Sequence, residues 1–312
     1  FSVQTGMDIE QLFVNGRMMN EARWPNTPPD SLLALNKAQA NGGSLTSIKD
    51  DGLPSGDLNG ALVHVTADPQ YISYTREVTD YDAGSGFDLT EAIGYGDGVK
   101  NGDYYYLFGH KELLDTAGEW HLDRKEDRLY LIPPDGADPN DLTVEAKSRI
   151  AGFDISGRSH VIVKNINFFG TGVLGLNTQH CVVDSCNMKY ANHLRKAGGW
   201  WPGEKVPNKL KGSRNTFSNS TVEFASVCAL WIEGDHNTVE NCLMHDANYA
   251  GVNHAVVTVT GDRHTVTRST LYNSGRFILS HYETTASRFT HNHLHGACRL
   301  TGDGGITYAW DT

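Results

Sequence analysis

An all-β fold, a right-handed parallel β-helix preceded by a β-rich N-terminal module, is what this sequence predicts, on three observations. Six stretches between residues 160 and 295 repeat one pattern: HVIVKNINFF from His160, HCVVDSCNMK from His180, RNTFSNSTVE from Arg214, HNTVENCLMH from His236, RHTVTRSTLY from Arg263 and ASRFTHNHLH from Ala286. Equivalent positions recur after 20, 34, 22, 27 and 23 residues, the spacing of a solenoid whose units bury their apolar faces only by stacking. Within each copy apolar and polar residues alternate, the period of a strand and not of a helix.

Taken from the N-terminus, residues 1–147 read as the β-rich module. IEQLFVNGRMMNEARWPN at 9–26 pairs two strands across Asn15-Gly16, a hairpin signal. Residues 27–103, rich in Gly, Asp, Ser and Pro, carry weak strand patterns. GEWHLDRKEDRLYLIPP at 118–134 is a second hairpin with Trp120, Leu122, Leu129 and Leu131 on alternating positions. The boundary falls near Glu145–Ile150, and residues 148–312 form the solenoid, which the module is expected to pack on and cap.

In the solenoid, three columns point inward. The first is Val163, Val183, Phe217, Val239, Val266 and Phe289; the third is Phe168, Met188, Val222, Met244, Leu271 and Leu294. Between them Ile166, Cys186, Ser220, Cys242, Ser269 and Asn292 suit an internal stack at a bend. A second strand follows each turn, at 228–234, 251–261, 275–283 and 304–310, all free of proline as central strands require. The 34-residue interval has a local cause, an inserted loop AGGWWPGEKVPNKLKG at 197–212, whose Trp200-Trp201 pair is placed as a groove wall or a loop anchor.

Composition agrees and excludes several classes. Glycine is 33 of 312 residues, above the typical ~7%, as turn-rich coils need. The net charge of −11 argues against a nucleic-acid partner, and no apolar run approaches a membrane span. Five cysteines without CxxC spacing argue against a zinc site, and Cys186 and Cys242 read as buried thiols. The chain opens at Phe1 and stops just after a strand, which reads as a processed or partial sequence with an incomplete last coil.

LFVNG…ARWPN, LLDTAGEWHLDRKEDRLYLIPP, the solenoid and NHLHGACRLTGDGGITYAW together resemble bacterial carbohydrate-active β-helix proteins, the group around glycoside hydrolase family 141 and related fucan-active enzymes. The resemblance implies a secreted, periplasmic or cell-surface hydrolase acting on a fucose-, xylose- or uronate-containing saccharide. In that group the stretch matching Asp303–Tyr308 usually reads Asp-Gly-Gly-Ala-Ile-Tyr; here it is DGGITY.

Glycoside cleavage needs two carboxyl groups about 5–5.5 Å apart for retention or 6.5–9.5 Å for inversion. Asp303 before Gly-Gly and Asp311 are the leading carboxylates, with Glu283 one coil earlier as the substitute partner and His281 beside it. Asp303 reads equally well as a plain turn aspartate. On the second strands Trp231, Glu233, His254, Arg276, His281 and Glu283 are expected on the exposed face. Trp231, His254, Arg276, Tyr308 and Arg299 are the substrate-binding candidates. Residues 263–299 hold five arginines, one acid and five histidines, which favours an anionic ligand, although most of these side chains are expected simply to face solvent. A lyase reading uses Arg276 or Arg299 to neutralise a uronate, His281 or Tyr308 as base, and calcium as a potential helper; otherwise no cofactor is expected, and a metal held by His291, His293 and His295 is a minority reading. A non-catalytic binding or adhesion solenoid is the third reading.

Overall fold

The structure, a computed structural model, describes residues 1–94, 96–198, 206 and 208–310. The chain divides into two compact units, Phe1–Ser148 with Arg195–Gly199, and Arg149–Leu194 with Trp200–Thr312. Among the described residues no helix is long and apolar enough to cross a membrane.

The second unit is a parallel β-solenoid of about six coils, as its periodicity predicts. The long-strand sheet runs through Phe153–Asp154, Val173–Gln179, Lys209–Ser213, Leu230–Asp235, Ala255–Asp262, Phe277–Tyr282 and Thr307–Trp310. The ten-residue copies each supply two three- to five-residue strands, one to the second sheet and one to the third, with a bend between. Val163, Val183, Phe217, Val239, Val266 and Phe289 are in strict register, and so are Phe168, Met188, Val222, Met244, Leu271 and Leu294. Both columns line one apolar core, where burying a side chain such as Phe217 stabilises by about 2–3 kcal/mol.

Each coil turns through three single residues in the left-handed region. The first corner holds His160, His180, Arg214, His236, Arg263 and Ala286, with φ between 52° and 59°. Five of these donate their backbone N–H to the next coil, for example His180 to Ser213 O at 3.1 Å and Arg214 to Asp235 O at 3.0 Å. Such a conformation costs on the order of 1 kcal/mol per residue, offset here by the inter-coil bonds it aims. Inside the corners, polar side chains form ladders. Asn215 Oδ1 accepts from Cys181 N (3.0 Å) and Asn237 Oδ1 from Asn215 N (2.8 Å). At the bend, Ser220 Oγ accepts from Cys186 N (3.0 Å) and Ser269 Oγ from Cys242 N (3.1 Å). Cys186 and Cys242 are buried free thiols.

The stretch 197–212 is not one loop. Lys209–Ser213 is a strand of the long sheet, because Leu210 continues the core column of Ile232 and Val259. Ala197 and Gly198 belong to the first unit, where Ala197 O accepts from Thr75 N at 2.7 Å and Gly198 bridges Tyr74. Trp200 and Trp201 lie outside the described residues.

In the first unit, the Asn15-Gly16 hairpin forms with Val14 opposite Arg17, and Glu119–Asp123 pairs with Arg128–Ile132 so that Trp120 and Leu122 bury with Leu129 and Leu131. The weakly patterned middle closes a ring: Ala38–Gly43, Ser47–Lys49, Gly86–Leu89, Tyr74–Asp82, Leu62–Thr66 and Asn101–Phe108 pair antiparallel in that order, and the last returns to the first. Among the described residues every strand of this ring has a partner on each side. Its interior holds Ala40, Ile48, Val63, Val65, Val78, Phe87 and Leu107.

Candidate active site

On the outer face of the long-strand sheet, Lys209, Trp231, Thr258, Ser280 and Tyr308 stand in one column, and Lys211, Glu233, Thr260, Tyr282 and Trp310 in the next. The loops entering these strands shape the site. Asn248 is fully buried and staples the loop 248–254: its Nδ2 donates to Val252 O and His254 O, each at 2.8 Å, and its Oδ1 accepts from Val252 N at 2.9 Å. Gly275 passes directly over this loop, where any Cβ would overlap the Asn248 carbonyl oxygen. The Gly275 carbonyl accepts from Leu300 N (3.0 Å) and Thr301 N (3.2 Å), which fixes the next coil's loop beside Arg276.

That geometry joins three residues from three successive coils. The Arg276 side chain is buried; Nη1 donates to Asn253 Oδ1 at 2.9 Å and Nη2 to Asp303 Oδ2 at 2.8 Å. Its guanidinium lies 4.4 Å from the Phe277 ring centre, and Phe277 stacks on Tyr308 at 4.1 Å. Asp303 itself keeps 35% of its side-chain surface open. Its Oδ1 takes no hydrogen bond among the described residues. The following Gly304 has φ 145°, and a Cβ there would press within 2.9 Å of Phe277, so the Asp-Gly pair is a packing requirement of this corner.

Further along the outer face lies a second charged group. Lys209, almost wholly buried, sits 3.4 Å over Trp231 and 2.9 Å from Glu233, which Lys211 also holds at 2.8 Å. Burial raises the Glu233 carboxyl, but the bonds from Lys211 and Lys209 outweigh it and leave the group below its ordinary value. His254 bonds Thr258 Oγ1 through Nδ1 at 3.1 Å and packs edge-on to Trp231 at 4.8 Å. Burial, with Lys209 nearby, pushes its imidazole down to about 3, so it stays neutral.

Several expectations change. Trp231, His254 and Arg276 are buried, not exposed, because loops cover this face of the sheet and pack onto those side chains. His281 does not share their face. It occupies the inward column of Ile232 and Val259 and stacks on Phe289 at 5.2 Å, with burial lowering its imidazole. Ile278 and Leu279 both enter the core, so simple alternation fails along this strand. Glu283 is exposed at the opposite end of the strand from Arg276. Seven residues of strand put it on the order of 20 Å from Asp303, beyond either carboxylate spacing, so it is not the partner acid. Asp311 lies outside the described residues. Arg299 is exposed on the loop after the last copy. Of the other arginines in 263–299, Arg263 and Arg268 pair with Asp235 and Glu240 at 2.6 and 2.7 Å on other faces, and Arg288 faces outward on the second sheet. His293 and His295 share the outer face of the third sheet, 4.9 Å apart, and Tyr272 stacks on His295. Asn253 was not foreseen: it lies 23 residues before Arg276 with no motif around it.

No protein-family model matches this sequence, and no curated protein matches it. Among solved structures, one described as a glycoside hydrolase aligns over 92% of this chain and 77% of its own at 12% identity, with a TM-score of 0.46. The A-module of the Azotobacter vinelandii mannuronan C-5 epimerase AlgE4 aligns over 51% of this chain and 58% of its own at 8% identity and a TM-score of 0.31. The catalytic domain of a GH87 α-1,3-glucanase covers 88% and 61% at 11% identity and a TM-score of 0.22. Likeness at this level carries no argument about activity, which rests on the geometry of the chain itself.

Proposed function

We propose that this protein is a secreted glycoside hydrolase acting on a polysaccharide or oligosaccharide, one built of fucose, xylose or uronate and bearing anionic or sulfate groups. The observation that carries the reading is the Arg276–Asp303 pair: a buried guanidinium, itself anchored by Asn253, holds a half-open carboxylate on the outer face of a solenoid. A stack of coils repeating every ~4.8 Å offers a polymer a continuous surface along its axis. We assign Asp303, held in place by the guanidinium, the role of base or nucleophile. As a base it takes a proton from water while that water attacks the anomeric carbon; the leaving oxygen is protonated by a second carboxyl group. In this reading Tyr308, which stacks on Phe277, contacts a sugar ring.

The lyase alternative needs a free cation to neutralise a uronate. Arg276 is already committed to Asp303 and Asn253, and His281 stands in the inward column, so neither serves it; the exposed Arg299 remains its cation and Tyr308 its base. The test is an assay of the purified chain on fucans, xylans, alginate and glycosaminoglycans for reducing ends and for ultraviolet absorbance. Reducing ends without absorbance, reduced at least ~10²-fold in Asp303→Asn, support hydrolysis. An unsaturated, absorbing product identifies a lyase and overturns the reading, as does undiminished turnover in folded Asp303→Asn.

A further inference from the structure

The first unit gathers two cations that make no ion pair among the described residues, although Glu119 acts on Arg23 through space. On the strand Asn101–Phe108, Tyr105 and Leu107 fill the ring's interior, and Tyr104 and Tyr106 alternate with them on the outside. The buried Arg23 guanidinium lies 3.9 Å over the Tyr106 ring, on which His64 also stacks, 4.9 Å away and 19° from parallel. Lys37 Nζ lies 4.4 Å over the Tyr104 ring. Burial, then Arg23 and Lys37 in turn, pushes the His64 imidazole down to about 3, so both cations act on His64.

The carboxylates nearby are otherwise engaged. Glu119 accepts the backbone N–H of Arg23 at 3.3 Å, not its guanidinium, and Glu21 is held by Arg195 at 2.7 Å. Arg23 spends Nε on Pro25 O (3.1 Å) and Nη2 on Asn36 O (2.7 Å), both neutral carbonyls. Among the described residues, Nη1 of Arg23 and the ammonium of Lys37 donate no hydrogen bond, and neither cation has an ion pair. Buried cations are ordinarily paired, because leaving them unpaired is costly.

We propose that Arg23 and Lys37, flanked by Tyr104 and Tyr106, form a second binding site that takes the anionic group of a charged saccharide, a uronate carboxylate or a sugar sulfate. The anion accepts from Arg23 Nη1 and Lys37 Nζ, both charge-assisted bonds, and the sugar ring lies against the Tyr104 side. Arg23 is fixed by its carbonyl contacts, so the site discriminates charge through a rigid donor and a mobile one. The saccharide character of the ligand rests on the proposed function; the charge selectivity rests on the cations alone.

The test is calorimetric titration of the full chain with glucuronate, glucose 6-sulfate and glucose, in wild type, Lys37→Gln and Asp303→Asn. Expected is binding of one or both charged sugars at least about tenfold tighter than glucose, weakened about tenfold by Lys37→Gln and retained in Asp303→Asn. The uronate and sulfate arms show which anion the site prefers. Equal binding of charged and neutral sugars, no binding of either charged sugar, or no effect of Lys37→Gln overturns the proposal. Failure of the hydrolase reading looks different: charged sugars still bind through Lys37, but no polysaccharide is cleaved.

Discussion

Arg276 Nη2 lies 2.8 Å from Asp303 Oδ2, a contact between residues 27 apart in sequence and one coil apart in the solenoid. The arginine is buried and the aspartate half-open, so the two are not equivalent. Arg276→Ala leaves the carboxylate in place but frees it from its anchor and opens a cavity between two loops. We expect a loss of about 2–3 kcal/mol in urea unfolding and at least a tenfold fall in turnover, with Arg276→Lys recovering part of the stability but little of the positioning. Unchanged turnover in a folded Arg276→Ala protein would show that Asp303 needs no anchor.

Gly212, Gly234 and Gly261 pair in register at the exit of the long-strand sheet. Each sits at a φ that side chains rarely adopt, and a Cβ on Gly234 would overlap the Gly212 carbonyl oxygen. The neighbour is backbone, which cannot yield without moving the coil. Gly234→Ala is therefore expected to cost about 3 kcal/mol or more, while alanine at exposed Gly60, where nothing lies within 4 Å of a Cβ, costs only its backbone strain. Similar melting temperatures for the two variants would contradict this.

Glu119 gives the first unit a pH dependence of defined sign. Burial raises its carboxyl to about 7, opposed by the backbone N–H groups of Asp115 and Arg23. A carboxyl whose folded value is raised binds its proton more tightly in the folded state. Its stabilising contribution is full below the ordinary value of 4.5 and is lost as pH rises through about 7, by up to about 3 kcal/mol. His64 and His121, lowered by burial to about 3 and about 4, act oppositely, destabilising the fold as pH falls below 6.5. Comparing wild type with Glu119→Gln at pH 5 and pH 8 isolates the glutamate: the wild type should lose more stability toward pH 8 than the variant. Parallel pH profiles would refute the assignment.

The solenoid's columns were legible because they lie in strands, where period two separates inside from outside. Val163 to Phe289 and Phe168 to Leu294 could be stacked by eye. The corners were less so. Asn165, Asn219 and Asn241 are residue types that tolerate positive φ, but Arg214 and Arg263 are not turn signals, and inter-coil bonds from their backbone N–H groups explain them. The closed ring of the first unit was illegible for a different reason: a strand such as AQANGG at 38–43 has almost no apolar pattern and exists because neighbours on both sides pair with it. At the site, Asp303 announced itself through its glycines. The burial of Arg276 and His254 did not, since it is imposed by loops from other coils, and Asn253 has no local signature at all.

Arg195 and Glu21 make a two-pronged pair, with Nη2 at 2.7 Å and Nε at 2.8 and 3.2 Å from the carboxylate oxygens. Both side chains are largely buried. The pair anchors the segment Arg195–Gly199 in the first unit, next to the bond from Thr75 N to Ala197 O. Arg195→Ala is expected to leave Glu21 buried without its partner and to loosen that segment. Hydrogen exchange at the Thr75 and Ala197 amides should accelerate by about tenfold or more, while amides of the solenoid strand Leu230–Asp235 stay protected. Unaltered exchange at Thr75 would mean that the strand pairing, not the ion pair, fixes the segment.

Asn237 is the middle rung of the ladder inside the first corner. Its Oδ1 accepts from Asn215 N (2.8 Å) and Asn215 Nδ2 (3.0 Å), its Nδ2 donates to Gly212 O (3.0 Å) and Glu233 O (3.2 Å), and its own N–H reaches His264 Nδ1 at 3.2 Å. It is 1% exposed, so water cannot replace what a substitution removes. Asn237→Ala strands the Asn215 backbone N–H and two carbonyl acceptors, and an unmade buried bond costs about 1–3 kcal/mol. A total loss of about 3 kcal/mol is expected in urea unfolding. Asn237→Asp separates donors from acceptors: it keeps the bonds from Asn215 but turns a charge toward the Gly212 and Glu233 carbonyls. Its defect should therefore be worse at pH 7 than at pH 4, where the aspartate can carry a proton and donate again. A pH-independent defect in Asn237→Asp would show that the volume of the side chain, and not its hydrogen bonding, holds the corner.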